Sequence, residues 1–207
     1  MSELLQRLRY SPLRPWYDRF NVLRWRVRGR PIPPPYGLKR RVILEHARRF
    51  GIDVLVETGT FHGETMYFAK SRFRKAYSIE LDEALFQENQ ARFRGVPNVE
   101  LIQGDSGVEL PRLAARLKER ALFWLDGHYC GPGTGMGEQE APVYQEMECI
   151  VGHPVRDHVI LIDDARLFEG KAGYPAIPEF RRWVAERRPD LTFCVEDDII
   201  RITPALG

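Results

Sequence analysis

The amino-acid order predicts an α/β protein built on a doubly wound, mostly parallel sheet. Three observations carry that expectation. From Leu38 onward, short apolar strands rich in β-branched residues alternate with helix-length amphipathic segments. The connections between them are short, as crossover units require. Acidic residues recur where strands end, at Glu57, Glu80, Asp105 and Asp126, which would gather them at one rim of the sheet.

The elements follow in order. LKRRVILEHARRFG reads as a helix stopped by Gly51 just past a basic last turn. DVLVE (53–57) is a buried strand. Helices are expected near 64–71, 82–93 and 107–119, alternating with strands near 75–80, 98–103 and 121–126. A helix near 141–151, the strand HVILID (158–163) and a helix near 177–187 come next. LTFCV (191–195) and IIRIT (199–203) flank Glu196-Asp197-Asp198, a turn that predicts an antiparallel C-terminal hairpin. The strands number seven in all, and no internal repeat is present.

Composition narrows the class. The chain has 207 residues, 43% hydrophobic and 29% charged, which suits one globular domain with an additional segment. No run of about 18 apolar residues occurs, and the N-terminus lacks a secretory pattern. Cys130, Cys149 and Cys194 have neither disulfide-framework nor zinc spacing, so reduced thiols in a cytoplasmic protein are expected. The net charge of +2 hides an asymmetry: residues 1–41 hold eleven Lys/Arg against two acids.

That segment interleaves arginines with Leu4, Leu5, Leu8, Tyr10, Trp16, Tyr17, Phe20, Leu23 and Trp25. Pro12 and Pro15 are expected to interrupt any long helix there, leaving a pair of short helices packed on the main domain. A peripheral contact with a membrane or glycolipid surface is the other reading of a basic, Trp-bearing segment. Nucleic acid is not expected, because no recognised binding module accompanies the charge. PIPPPYG (31–37) is a stiff connector, so the boundary falls between a basic arm at 1–37 and a catalytic domain at 38–207.

The first strand runs into Glu57-Thr58-Gly59-Thr60-Phe61-His62-Gly63-Glu64-Thr65. Two glycines four apart permit a sharp turn and close approach of a ligand to backbone. Glu80 closes the second strand, 21 residues after Gly59, where a carboxylate can bind two ribose hydroxyls. Asp105 closes the third strand in IQGDS, placing another acceptor at the same sheet edge; the alternative is that it caps the following helix, which would not exclude a ligand contact. Three acids ending successive strands suit a ligand with an amine, ribose hydroxyls and a positive centre, and match a pyrophosphate poorly.

This order resembles the class I S-adenosylmethionine (SAM)-dependent methyltransferases over roughly residues 38–203. The resemblance implies a Rossmann-like seven-stranded sheet with a terminal hairpin. It also implies that Gly59 and Gly63, with Thr60 and Thr65, surround the methionine moiety near Glu57. Glu80 would hold the ribose, and Asp105 with Ser106 would lie by the adenine.

Asp126 ends ALFWLDGHY and is followed by His128; HVILIDDAR delivers Asp163 and Asp164. Neighbouring strands would bring the three carboxylates together, and such a cluster needs a cation or raised pKa values. Oxygen donors suit Mg²⁺; alternatively Asp126 orients the methionine amine and Asp164 pairs with Arg166. The D…DD arrangement resembles the metal-dependent O-methyltransferases of the macrolide-sugar type, whose strand reads D-G-D-H-x-Y. Here DGHY is one acid short. The family's general base therefore does not carry over directly; beside Asp126, His128 is an available base near neutral pH, or it packs under the loop. The resemblance implies a sugar or other small hydroxyl-bearing molecule as acceptor. CGPGTGMGEQEAP (130–142) is a candidate lid. Two other functions stay open: a nicotinamide-dependent oxidoreductase, although G-x-G-x-x-G is absent, and a non-catalytic binding protein. A homo-oligomer is compatible with either.

Overall fold

The computed structural model describes residues 11, 13–127 and 143–205. His128, Cys130 and the glycine-rich stretch 130–142 lie outside the described residues. The ordered elements are α1 (Arg14–Val27), α2 (Tyr36–Phe50), β1 (Val54–Thr58), α3 (Glu64–Ala69), β2 (Lys75–Glu80), α4 (Glu83–Arg92) and β3 (Val99–Gln103). They continue with α5 (Ser106–Ala114), β4 (Leu122–Leu125), α6 (Val143–Val151), β5 (Val159–Ile162), a 3₁₀ turn (Ala165–Leu167), α7 (Ile177–Arg187), β6 (Leu191–Glu196) and β7 (Ile199–Pro204).

The strand order is β3-β2-β1-β4-β5-β7-β6. The first five are parallel; β7 runs antiparallel to both β5 and β6. Reversal of direction between β1→β2→β3 and β4→β5 makes β1/β4 the switch point, where open α/β sheets bind ligands at strand carboxyl ends. The hairpin is made by Asp197 and Asp198, both at positive φ (54° and 64°), the conformation that matches the twist of two-residue hairpins.

Strand periodicity divides the core. Val54 and Val56 face a cluster with Leu110, Met147 and Phe180; Leu55 faces the opposite cluster with Leu38, Ile43 and Met66. In β4, Phe123 and Leu125 join the first cluster and Leu122 and Trp124 the second. Each such side chain contributes about 1.5–3 kcal/mol on burial. A sheet covered on both faces therefore leaves its strand ends as the place for polar chemistry.

Pro15 occupies the first turn of α1, where its missing N–H has no bond to lose, so the proline marks where this helix begins. Residues 14–27 form one short helix, and its Val22 and Trp25 enter the same cluster as Leu38 and Ile43. One expectation changes. The helix expected over 107–119 ends at Ala114: Arg116 and Leu117 donate to residues three back, Leu113 and Ala114, tightening the chain into turns. Gly51 terminates α2 at φ 61°, as its position foretold. Among the described residues, no helix is long and apolar enough to cross a membrane.

Candidate functional site

β1 delivers Glu57 and Thr58 to the carboxyl rim, and Gly59 turns the chain away from it. Gly59 has φ 81°, and its N–H donates to Ile79 O at 2.9 Å, clamping the turn to β2. On the other side Asp126 N–H donates to Thr58 O at 3.1 Å. A Cβ on Gly59 would stand 2.4 Å from Asp126 O, so no side chain fits where the turn meets the end of β4. Gly63, φ 73°, is held as tightly: its Cβ would meet Asn89 Oδ1 at 2.2 Å.

Glu57 points inward and is buried. Ser78 Oγ donates to its Oε2 at 2.6 Å, and Thr60 Oγ1 lies 2.6 Å from the same serine hydroxyl. Burial pushes the Glu57 carboxyl up to about 8; hydrogen bonds from Ser78 and Thr65 work against the rise, and the charges of Asp126 and Glu80 add to it. Those couplings report that the carboxylates ending β1, β2 and β4 share one field. Thr65 in turn lies 3.3 Å from the Tyr36 hydroxyl, tying α2 to the start of α3.

Glu80, at the end of β2, accepts from Phe61 N–H at 2.7 Å on Oε2 and from Asp82 N–H at 2.9 Å on Oε1. Each carboxylate oxygen keeps a further lone pair. Burial raises its pKa, and the Asp82 and Phe61 amides oppose the rise. Asp105 caps α5, accepting from Gly107 N–H at 2.8 Å, so the capping role weighed for it is present. Ser106 follows in the first turn, and its Oγ would lie 3.3 Å from a Cβ on Gly127. Thr58 was not singled out from the sequence. Its hydroxyl is buried and has no partner among the described residues. It would lie 3.0 Å from a Gly127 Cβ, between the Gly59 turn and Ser106. The hydroxyl thus sits at the switch point, where open α/β sheets bind ligands.

On the other side of Asp126 the three expected carboxylates do converge: Asp126, Asp163 and Asp164 each place an oxygen within 4.8 Å of the others. The cation beside them is Lys39, from α2. Its Nζ hydrogen-bonds Asp163 Oδ2 and lies 3.7 Å from Asp164 Oδ1. Burial disfavours the ammonium, but Asp163, Asp126 and Asp164 more than offset this and its pKa is raised. Asp163 is raised too, by burial first, with Lys39 opposing. Arg166 Nη1 donates to Asp164 Oδ1 at 2.6 Å and also bonds Asp198, which accepts from Arg166 N–H at 2.8 Å. Asp164 thus pairs with Arg166, as one sequence reading held, while sitting at φ 54°. Lys39 escaped the sequence reading. Its signal was a lysine four residues before buried Ile43, on the inward face of an amphipathic helix.

No family model matches the chain, and no curated protein matches it. Solved structures do share its fold. The O-methyltransferase TomG from Streptomyces achromogenes, in complex with SAM, is 14% identical with a TM-score of 0.60, covering 92% of this chain and 89% of that one. An O-methyltransferase from Bacillus cereus in complex with S-adenosylhomocysteine (SAH) gives 14% identity, a TM-score of 0.58 and 90% of both chains. The 23S rRNA methyltransferase ErmE gives 16%, 0.51, and 80% and 68%. At this identity the neighbours show the fold alone, one shared by solved O-methyltransferases and by a 23S rRNA methyltransferase.

Proposed function

We propose that the chain is a SAM-dependent O-methyltransferase acting on a hydroxyl of a small molecule or saccharide. One observation carries this reading: Glu57, Glu80, Asp105 and Asp126 end four adjacent strands beside a glycine turn that admits no side chain. Glu80 would accept the two ribose hydroxyls on its remaining lone pairs, and Asp105 and Ser106 would border the adenine. Gly59, Thr60, Gly63 and Thr65 would wrap the methionine end, with Glu57, Thr58 and Asp126 as polar partners. When bound, SAM supplies a methyl group already activated on a sulfonium. The protein's remaining tasks are to align an acceptor oxygen and remove its proton. Alignment contributes about 7–11 kcal/mol; a base at Asp126 or His128 adds about 10²–10⁴-fold. Lys39, Arg166 and the paired aspartates would fix the acceptor hydroxyl and stabilise its developing negative charge.

The carboxylate cluster favours a second reading of the same chemistry. Asp126, Asp163 and Asp164 have the donor set Mg²⁺ takes, and the ion would chelate vicinal hydroxyls and lower their pKa. The fit is contested by Lys39, whose ammonium must leave Asp163 for the ion to enter. Titration calorimetry tests the function directly. Micromolar SAH binding that is lost in Glu80→Ala supports it; binding of NADH without SAH would replace it with oxidoreduction, and no nucleotide binding would leave a non-catalytic protein.

A further inference from the structure

α1 exposes Leu13, Trp16, Phe20, Leu23 and Val27 at 61, 72, 62, 60 and 81% of their area. Their spacing of three, four, three and four residues puts all five on one arc, since each residue turns the helix about 100°. Asp18, Val22 and Trp25 occupy the opposite face and are buried. The exposed stripe is a second apolar face on a helix already packed by its first.

The helix is also locked in place. Arg14 bridges Asp18 at 2.7 Å and Glu64 at 2.9 Å, and Arg40 reaches Asp18 at 3.2 Å. Trp25 Nε1 donates to Pro31 O at 2.6 Å. Asp18 can approach α2 because Gly37 has no side chain; a Cβ there would be 2.5 Å from Asp18 Cβ. Rotating the stripe inward would break all of these contacts.

Charge identifies the occupant. Arg19 and Arg26 project along one side of the stripe, and Arg24 and Arg28 along the other, by the same helical geometry. All four are exposed, and no ion pair joins any of them to a carboxylate among the described residues. Pairing is mixed elsewhere: Arg14, Arg40, Arg74, Arg92, Arg166, Arg188 and Arg201 are paired, whereas Arg48, Arg49, Arg72 and Arg94 have no ion pair among the described residues. What marks the four on α1 is their place along both margins of the apolar stripe. A second copy of the helix would bring arginine against arginine at both flanks, which coiled-coil pairing avoids. An anionic bilayer answers both features: apolar side chains enter the acyl boundary while guanidinium groups reach lipid phosphates along their own stems. Each cation near such a surface adds to the attraction.

We propose that α1 is an interfacial anchor, docking the protein on an anionic lipid bilayer through Leu13, Trp16, Phe20, Leu23 and Val27 with Arg19, Arg24, Arg26 and Arg28 as its phosphate-binding margins. The anchor stands independently of methyl transfer. Its test is flotation of the full-length protein with phosphatidylcholine vesicles, with and without phosphatidylglycerol, at about 0.1 M salt. The protein is expected to float with the anionic vesicles and not with the neutral ones. Phe20→Ser/Leu23→Ser and Arg19→Glu/Arg26→Glu should each reduce recovery at least about tenfold. Both pairs are solvent-exposed, so the melting temperature and SAH binding should not change. Trp16→Phe should still float while losing most of the vesicle-induced blue shift in tryptophan emission. The proposal is overturned if the wild type stays in the pellet with anionic vesicles, or if either double variant floats as well as the wild type. It is also overturned if light scattering shows a dimer that Phe20→Ser/Leu23→Ser converts to monomer, because a second copy then covers the stripe.

Discussion

The Lys39 ammonium closes on the Asp163 carboxylate where β5 ends, and so supplies from α2 the positive charge that the aspartate cluster requires. Asp163 is buried, with Asp164 beside it. Two adjacent carboxylates in such a place cannot both ionise without a cation.

Replacing Lys39 by Met should therefore leave an uncompensated buried charge, a change that costs about 3–5 kcal/mol. Thermal melts with and without Mg²⁺ or Mn²⁺ distinguish the two cations. The expected outcome is a lowered melting temperature for Lys39→Met that the divalent ion partly restores, with little response from the wild type. A wild type that gains as much as the variant would mean that the metal already displaces Lys39.

Glu80 carries the ribose contact in the proposed function, while also holding Phe61 N–H and Asp82 N–H. Glu80→Gln keeps one oxygen for these amides but replaces a charged acceptor by a neutral one. Charge-assisted hydrogen bonds of this kind contribute about 1.5–3 kcal/mol, so SAH should bind roughly 10–100-fold more weakly by calorimetry. Adenosine lacking its ribose hydroxyls should bind the variant and the wild type alike. Equal loss for both ligands would place Glu80 in loop support alone.

The sheet and its rim could be read from local pattern. Leu55 and Trp124 alternate with Val56 and Phe123 across the sheet, and strand alternation is a one-dimensional signal. Glu57, Glu80, Asp105 and Asp126 converge for the same reason, because parallel strands share a carboxyl end. Lys39 is different. Its partner Asp163 lies 124 residues away, and only the packing of α2 over β4 and β5 brings them together. Pro15 marks the start of the helix over 14–27, because at a helix's first turn its missing N–H costs nothing. That the Thr58 hydroxyl lacks a partner among the described residues needed three dimensions, since satisfaction depends on every neighbour at once.

Two buried histidines, hydrogen-bonded to each other, predict a fold that loses stability in acid through His158. His158 Nδ1 accepts from Ala121 N–H at 3.1 Å, so its Nε2 carries the hydrogen donated to His153 Nδ1 at 2.9 Å. His153 Nε2 then donates to Ala114 O at 2.9 Å. Burial, with His153 beside it, pushes the His158 pKa down to about 4 from 6.5. The unfolded chain takes up a proton that the folded one refuses, so stability present above pH 6.5 is lost as pH falls toward 4. Denaturant midpoints should drop across that window, and His158→Asn should flatten the slope. An unchanged slope would locate the acid sensitivity elsewhere.

Glu57 produces the opposite pH dependence. Its folded pKa of about 8 stands well above the ordinary 4.5. Between those values the folded state holds a proton that the unfolded state has released. Stability is therefore full below about pH 4.5 and falls as pH rises through about 8, by a few kcal/mol in all for a group this buried. Glu57→Gln is neutral at every pH and should remove that slope, melting higher than the wild type in mildly alkaline buffer. Ligand binding should show the other half of the linkage. A cationic amine or sulfonium near Glu57 favours its ionised form, so SAM binding near neutral pH should release about one proton, detectable as a buffer-dependent heat. Glu57→Gln should abolish the proton release and weaken SAM more than adenosine. Were the heat of binding the same in every buffer, Glu57 would be a structural hydrogen-bond partner of Ser78 and not a cofactor ligand.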